Sequence, residues 1–370
     1  RQTSFGHTLV LLRPMVDRKP RRVSWRVPPV VAALVLAALP AGSLLAQGAA
    51  PEAVPPVPIP HEVRSRLPPL KAPKGELVEF DAAPFPYNGR VPTTGRPFFD
   101  VTDEDGRRGH RTSRAGILWE DVTYSDRRSL LFMPKGFDVR RPGVIVVFLH
   151  GNRATLERDV RDRQRVVAQI AESNINAVLV APQLAVNAND SSAGRFWESY
   201  GFARFLGEAG AHLALLHGDK RTRQSFATLP VVVVAYSGGY MPAAWALHKG
   251  GTDSRVMGVL LLDALYGEVD KYADWIGRYP SSFFVSAYTL SSARGNEALQ
   301  RVLGEREIAF DTKLPSRLQG SVAFLPTIGV DHEGFVTRAW TDDPIRVVLE
   351  RIGGYARVPA PRDKSRAASE

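Results

Sequence analysis

The stretch VVVVAYSGGYMPAAWALHKGG, residues 231–251, constrains the fold more than any other part of the chain. Four consecutive valines after Pro230 predict a strand buried on both faces, as at the centre of a parallel sheet. The run stops at Tyr236-Ser237-Gly238-Gly239 and resumes with helix formers. Pro242 falls in the first turn, where a missing N–H costs little, and Gly250-Gly251 ends the helix. Strand, tight turn and helix together lift the Ser237 hydroxyl onto a strained corner with a helix N-terminus beneath it. Such a corner needs small residues two positions to either side of the serine, and Ala235 and Gly239 meet that need. A Ser-Gly-Gly turn after a strand is also an ordinary turn, so the rest of the chain has to decide between the two readings.

Further strand and helix patterns alternate along the chain. ILWEDVTY (117–124) and RSLLFMP (128–134) read as two antiparallel strands joined at Ser125-Asp126. Buried strands follow at GVIVVFLHGN (143–152), NAVLVAP (176–182), RVMGVLLLDALYG (255–267), SFFVSAYT (282–289) and SVAFLPT (321–327). Helical periodicity appears over 154–173, 194–218, 271–279, 296–304 and 343–352. This order predicts an α/β protein: a doubly wound, mostly parallel central sheet with helices on both faces and antiparallel first strands. Functional groups in such a sheet collect at the carboxyl ends of the strands. Three such ends carry Ser237, Asp263 and His332, in that chain order.

With LHGN at 149–152, AYSGGY at 235–240, LLLDALYG at 260–267 and VDHEGF at 330–335, residues 115–355 resemble the α/β-hydrolase superfamily. That family orders its triad as nucleophile, acid, histidine. The resemblance implies a serine hydrolase cleaving a carboxylic ester through an acyl-enzyme. Ser237 would be the nucleophile on a nucleophile elbow, with Ala235 where the family usually has Gly. His332 would be the general base, and the backbone N–H groups of Gly238 and Asn152 the oxyanion hole. The same triad serves an amidase or peptidase, and a catalytically silent binding protein of this fold is the rival from another class.

The acid has competitors. An aspartate directly after three leucines needs a partner, because an unpaired buried charge is costly, and this favours Asp263. The commoner place is after the following strand, where the first carboxylate is Glu297; Asp331 and Asp311 are more remote options. His332 is favoured over a structural histidine because Gly329 and Gly334 give its loop reach. His150 reads as structural, His110 as a surface residue, and His212, His217 and His248 as packing or surface groups. Trp197, Tyr240 and Tyr266 are candidate pocket aromatics, and Arg195 and Lys271 candidate anion binders. Aromatics at helical spacing are also ordinary core. No cysteine is present, HExxH is absent and no histidine spacing suits a metal, so neither metal nor cofactor is expected.

The net charge of +10 suggests nucleic acid until it is located. Residues 1–46 hold seven basic side chains and one acid, so about six of the ten charges lie there, and no nucleic-acid partner is expected. From Met15, taken as the true start, a basic segment precedes the apolar run at 28–46, with Ala46 and Gly48-Ala49-Ala50 as cleavage positions. This predicts an export signal within residues 1–50 and a periplasmic or secreted protein. A retained inner-membrane anchor is the competing expectation. Residues 51–114 read as a Pro-rich linker and an irregular segment, 115–355 as the catalytic domain and 356–370 as a disordered tail. The expected partner is a small-molecule or cell-envelope ester or amide.

Overall fold

Runs of β-branched and aliphatic residues become the strands of the sheet that carries Ser237. A computed structural model describes residues 67–357. The expected export signal, most of the Pro-rich segment and the tail lie outside the described residues. In chain order the strands are β1 (Lys74–Glu79), β2 (Val101–Thr102), β3 (Arg108–Thr112), β4 (Gly116–Trp119), β5 (Arg128–Met133), β6 (Val144–Leu149), β7 (Ala177–Pro182), β8 (Val231–Tyr236), β9 (Val256–Leu262), β10 (Phe283–Tyr288) and β11 (Val322–Pro326). Eight form one sheet in the order β1-β5-β7-β6-β8-β9-β10-β11. β5 runs antiparallel to β1 and to β7, and every other pairing in the sheet is parallel. This is the mostly parallel, doubly wound sheet with antiparallel first strands that the sequence predicts, the α/β-hydrolase type of fold.

The helices are α1 (Glu120–Thr123), α2 (Val166–Glu172), α3 (Gly201–His217), α4 (Arg223–Thr228), α5 (Tyr240–Lys249), α6 (Val269–Arg278), α7 (Ala293–Glu305) and α8 (Pro344–Leu349). Side chains alternate along each central strand, which is why those strands are apolar throughout. In β6, Ile145, Val147 and Leu149 join the core beneath α3, α5, α6 and α7, whereas Val144, Val146 and Phe148 join the core beneath α2 and α8. No helix among the described residues is long and apolar enough to cross a membrane.

The structure corrects several expectations. The sheet begins at Lys74, not near residue 115: KGELVE forms an edge strand whose exposed charged residues hide its period. The stretch 117–124 does not pair with 128–134. Both edges of β5 are taken by β1 and β7, so Gly116–Trp119 instead completes a small sheet with β2 and β3, and α1 follows it. The helix expected over 154–173 is broken at Arg165 (φ 52°). Its first part, Leu156–Arg163, is wound with i→i+5 bonds around buried Asp159, whose carboxylate accepts the Thr155 N–H at 2.8 Å. The helix expected from 194 starts at Gly201, after a break at Tyr200 (φ 61°). His110 is not a loose surface group: its ring stacks on Phe98 at 4.1 Å and its Nδ1 lies 2.6 Å from the Phe98 carbonyl oxygen.

Candidate active site

Ser237 follows β8 directly, in a tight turn whose backbone is left-handed at the serine itself (φ 50°). That conformation disfavours a residue with a Cβ and is held only where the surroundings over-determine it. Here β8 is buried from Val231 to Tyr236 and α5 begins at Tyr240, so the turn is clamped at both ends. Gly239 is required for a different reason. A Cβ there would meet the Leu149 carbonyl oxygen at 2.2 Å, where the turn passes over the end of β6.

The structure brings Ser237, His332 and Asp263 together. His332, in the loop after β11, places Nε2 2.8 Å from Ser237 Oγ and Nδ1 2.6 Å from Asp263 Oδ2. The imidazole stacks on the Tyr236 ring at 5.1 Å, and the Tyr236 hydroxyl donates to the His332 carbonyl at 2.8 Å. The histidine loop is thus anchored to the residue that precedes the serine.

Asp263, at the end of β9, is wholly buried. Its Oδ1 accepts from the Thr289 N–H at 3.0 Å and from the Ser292 hydroxyl, and its Oδ2 from the Thr289 and Ser291 hydroxyls at 2.8 and 2.6 Å. Burial alone would push this carboxyl up; the hydrogen bonds from His332, Ser291, Ser292 and Thr289 together outweigh burial and hold it well below the usual carboxylate range. This cradle accounts for an aspartate after three leucines. Its signal in the sequence is TLSS at 289–292, at the end of the neighbouring strand, and a search for carboxylates alone passes over it. Glu297 lies on an exposed part of α7, and Asp331 and Asp311 are exposed outside the cluster.

On the other side of the serine, the loops after β6 and β7 are tied together. The Arg153 N–H donates to the Ala188 carbonyl at 2.8 Å, and Asn152 Nδ2 donates to Asn189 Oδ1 at 2.9 Å. The Ser191 hydroxyl donates to Asn152 Oδ1 at 3.2 Å. These contacts hold Asn152 against Gly238, where a Cβ would lie 2.1 Å from Asn152 Oδ1. The Gly238 N–H, in the first turn after the strand, has no intrahelical partner, and the Asn152 N–H donates to no protein acceptor among the described residues. His150 is buried: its Nδ1 pairs with the Gly151 carbonyl at 2.8 Å and its Nε2 accepts from the Leu184 N–H at 2.9 Å. Burial pushes this imidazole down to about 4, so it stands as a neutral strut for the loop.

Ser237, Gly238, His332 and Asn152 line a cleft of about 530 Å³ together with Tyr240 and Tyr266. The Tyr266 hydroxyl also bonds to Ser291 Oγ at 2.8 Å, linking the rim to the acid's cradle. Trp197 is not in the cleft. It is buried with Tyr87 and Phe98, at ring separations of 5.7 and 5.9 Å, because the short turn Gly194–Trp197 points it into the core. Arg195 and Lys271 are already engaged. Arg195 donates to the Pro86 and Asp81 carbonyls, and Lys271 pairs with Glu268 at 2.6 Å beside the Trp245 ring.

A serine hydroxyl bonded to an imidazole that is itself held by a buried carboxylate can lose its proton as it attacks an electrophilic carbon. Two N–H groups beside it can stabilise an oxygen that gains negative charge.

No family model matches the chain, and no curated protein matches it. Solved structures similar to it include the feruloyl esterase module from Clostridium thermocellum complexed with sinapinate, at 14% identity over 72% of this chain and 94% of that one, TM-score 0.38. An S-formylglutathione hydrolase from Agrobacterium tumefaciens is similar at 15% identity over 68% and 98%, TM-score 0.38. An IroE-like serine hydrolase from Shewanella oneidensis is similar at 15% over 60% and 74%, TM-score 0.37. At these identities and TM-scores the likeness transfers neither substrate nor site, and the reading of this chain rests on its own geometry.

Proposed function

We propose that the protein is a serine hydrolase that cleaves a carboxylic ester through an acyl-enzyme. The observation that carries this reading is the unbroken chain from Ser237 Oγ to His332 Nε2 and from His332 Nδ1 to Asp263 Oδ2, at 2.8 and 2.6 Å. Ser237 Oγ attacks the ester carbonyl carbon while His332 Nε2 takes its proton. The carbonyl π pair moves onto oxygen, which the Gly238 and Asn152 N–H groups receive. Collapse of this tetrahedral species breaks the bond to the alkoxy oxygen, and His332 passes its proton to the departing alcohol. Water then attacks the acyl-enzyme by the same steps, with His332 again as base, releasing the acid and restoring Ser237. Asp263 keeps the histidine in the tautomer that accepts from serine and stabilises its cation.

The basic and then apolar stretch at 15–46 supports placing this activity outside the cytoplasm. The test of the chemistry is covalent labelling by a fluorophosphonate beside turnover of short-chain p-nitrophenyl esters, for wild type and Ser237→Ala. Labelling and turnover that both vanish in Ser237→Ala are expected. Folded wild-type protein that neither labels nor turns over an ester sinks the proposal.

A further inference from the structure

The charged residues around the cleft are unevenly distributed. Arg114, Arg153 and Arg163 line it, against Glu333 as its one carboxylate. Arg163 is committed to buried Asp159 at 2.8 Å and to the Glu333 carbonyl. The other two differ: among the described residues, neither the Arg114 nor the Arg153 guanidinium has a hydrogen-bond or ion-pair partner. Both are exposed, yet both stand on fixed backbone. Arg153 follows the oxyanion residue Asn152; its N–H is bonded to Ala188, and its carbonyl accepts from Arg158 at 2.6 Å. Arg114 sits at the tip of the β3–β4 hairpin, which the Thr112 hydroxyl closes by accepting from the Ala115 N–H at 2.9 Å.

Arg114 also borders a smaller cleft of about 220 Å³ that shares Asn152, Asn189, Ser191 and Tyr240 with the first, so the two adjoin. The carboxylate in that second cleft, Asp190, accepts from the Tyr124 and Ser192 hydroxyls at 2.9 and 3.0 Å and does not face Arg114 as a partner. Burial raises the Tyr240 and Tyr266 hydroxyls, and the Arg114 charge opposes that rise at both; Arg114 lines the same cleft as these two tyrosines and Ser237.

We propose that Arg114 and Arg153 are specificity-determining residues and that the natural substrate is an ester carrying an anionic group such as a carboxylate. This rests on the hydrolase reading above. Two guanidiniums without partners among the described residues, both lining a cleft with one carboxylate in its lining, favour an anionic substrate and disfavour a cationic one. The small β2–β3–β4 sheet then has a task of its own: it brings Arg114 to a cleft whose other lining residues come from strand ends of the main sheet and the segments that follow them.

The test compares three chromogenic esters of matched size. One is the neutral p-nitrophenyl valerate, one carries a carboxylate on the acyl side (mono-p-nitrophenyl glutarate), and one carries it on the alcohol side (3-carboxy-4-nitrophenyl valerate). Wild type is expected to prefer at least one anionic ester in kcat/KM, by about tenfold for each arginine engaged, with a preference that narrows as salt rises. Arg114→Gln and Arg153→Gln should each lower the anionic-to-neutral ratio about tenfold, chiefly through KM, and Arg114→Lys should restore part of it. Which anionic ester responds tells whether the charge sits on the acid or the alcohol. A wild type that labels with a neutral fluorophosphonate but shows no anionic preference overturns this inference and leaves the hydrolase reading standing. A preference that survives in both glutamine variants overturns it likewise. A folded wild type that neither labels nor turns over any of the three overturns the hydrolase reading, and this inference with it.

Discussion

Replacing Asp263 with Asn tests the logic of the site more sharply than removing the serine, because the outcome is set by one backbone hydrogen atom. The Thr289 N–H, 3.0 Å from Asp263 Oδ1, can only donate. In Asp263→Asn the amide oxygen must therefore stay at the Oδ1 position, where the Ser292 hydroxyl also donates. The amide NH2 is then forced to the Oδ2 position, 2.6 Å from His332 Nδ1. Facing a donor, Nδ1 becomes the acceptor, the imidazole proton moves to Nε2, and Nε2 can no longer take the Ser237 proton. The amide's second hydrogen can go to one of the Thr289 and Ser291 hydroxyls, and these two, 3.0 Å apart, can bond to each other, so the cradle stays satisfied and the fold persists. A trapped tautomer of this kind costs about 10⁴-fold in kcat, or ~5.4 kcal/mol of barrier. The assay is kcat/KM on a p-nitrophenyl ester, beside the fluorophosphonate labelling rate and a thermal melt confirming a folded variant. Glu297→Gln, altered on an exposed helix face, serves as the control and should stay within about twofold of wild type. A folded Asp263→Asn within about tenfold of wild type would refute the tautomer argument.

The same carboxylate sets a pH dependence. Its folded-state value lies below the usual range, so its contribution to stability is present above the ordinary carboxylate pKa of about 3.9 and is lost as pH falls from there toward the folded value. The gap in urea midpoint between wild type and Asp263→Asn should therefore be widest near neutrality and shrink below about pH 4; a constant gap would contradict the assignment. Gly239→Ala drives a Cβ into the Leu149 carbonyl and should cost about 1–3 kcal/mol, seen as a lower melting temperature with activity reduced more than in proportion. An unshifted melt would show that the turn has slack. Asn152→Ala keeps the N–H proposed to meet the oxyanion but cuts the side chain's ties to Asn189 and Ser191, so kcat/KM should fall by up to about tenfold without loss of turnover. A loss matching that of Ser237→Ala would mean that the side chain itself meets substrate.

How much of this was legible in the sequence depends on burial. Strands β6 to β11 were readable because each is apolar on both faces, and their ends placed Ser237, Asp263 and His332 without a structure. β1 was not readable: an edge strand with Lys74, Glu76 and Glu79 exposed or half-exposed carries no strong period. Ile117, Leu118 and Trp119 have a strand's pattern, but nothing local says which sheet they join, and the pairing was settled by β1 occupying the edge of β5. The acid's cradle depends on Thr289, Ser291 and Ser292, which are anonymous polar residues until the sheet order sets β10 beside β9. Trp197 failed as a pocket residue for the opposite reason: a large aromatic near a strand end is most often core, and its neighbours Tyr87 and Phe98 come from the segment that read as irregular.

Two members of the proposed triad hold left-handed backbone, Ser237 at φ 50° and Asp263 at φ 43°, each at the first residue past a buried strand. Strain of this kind costs on the order of 1–3 kcal/mol per residue. The two sites offset it differently. Ser237 is held by packing, with β8 before it and α5 after it, so its hydroxyl stays free to face the cleft. Asp263 is held by hydrogen bonds: its own N–H donates to the Ala287 carbonyl at 2.8 Å, and its carboxylate collects donors from the Thr289–Ser292 turn. The division follows from what each must do. A nucleophile immobilised through its oxygen could not attack, whereas an acid must be immobilised through its oxygens to orient the histidine. Polar contacts therefore concentrate behind His332 and are sparse around Ser237 Oγ, leaving His332 Nε2 as the serine hydroxyl's hydrogen-bond partner among the described residues.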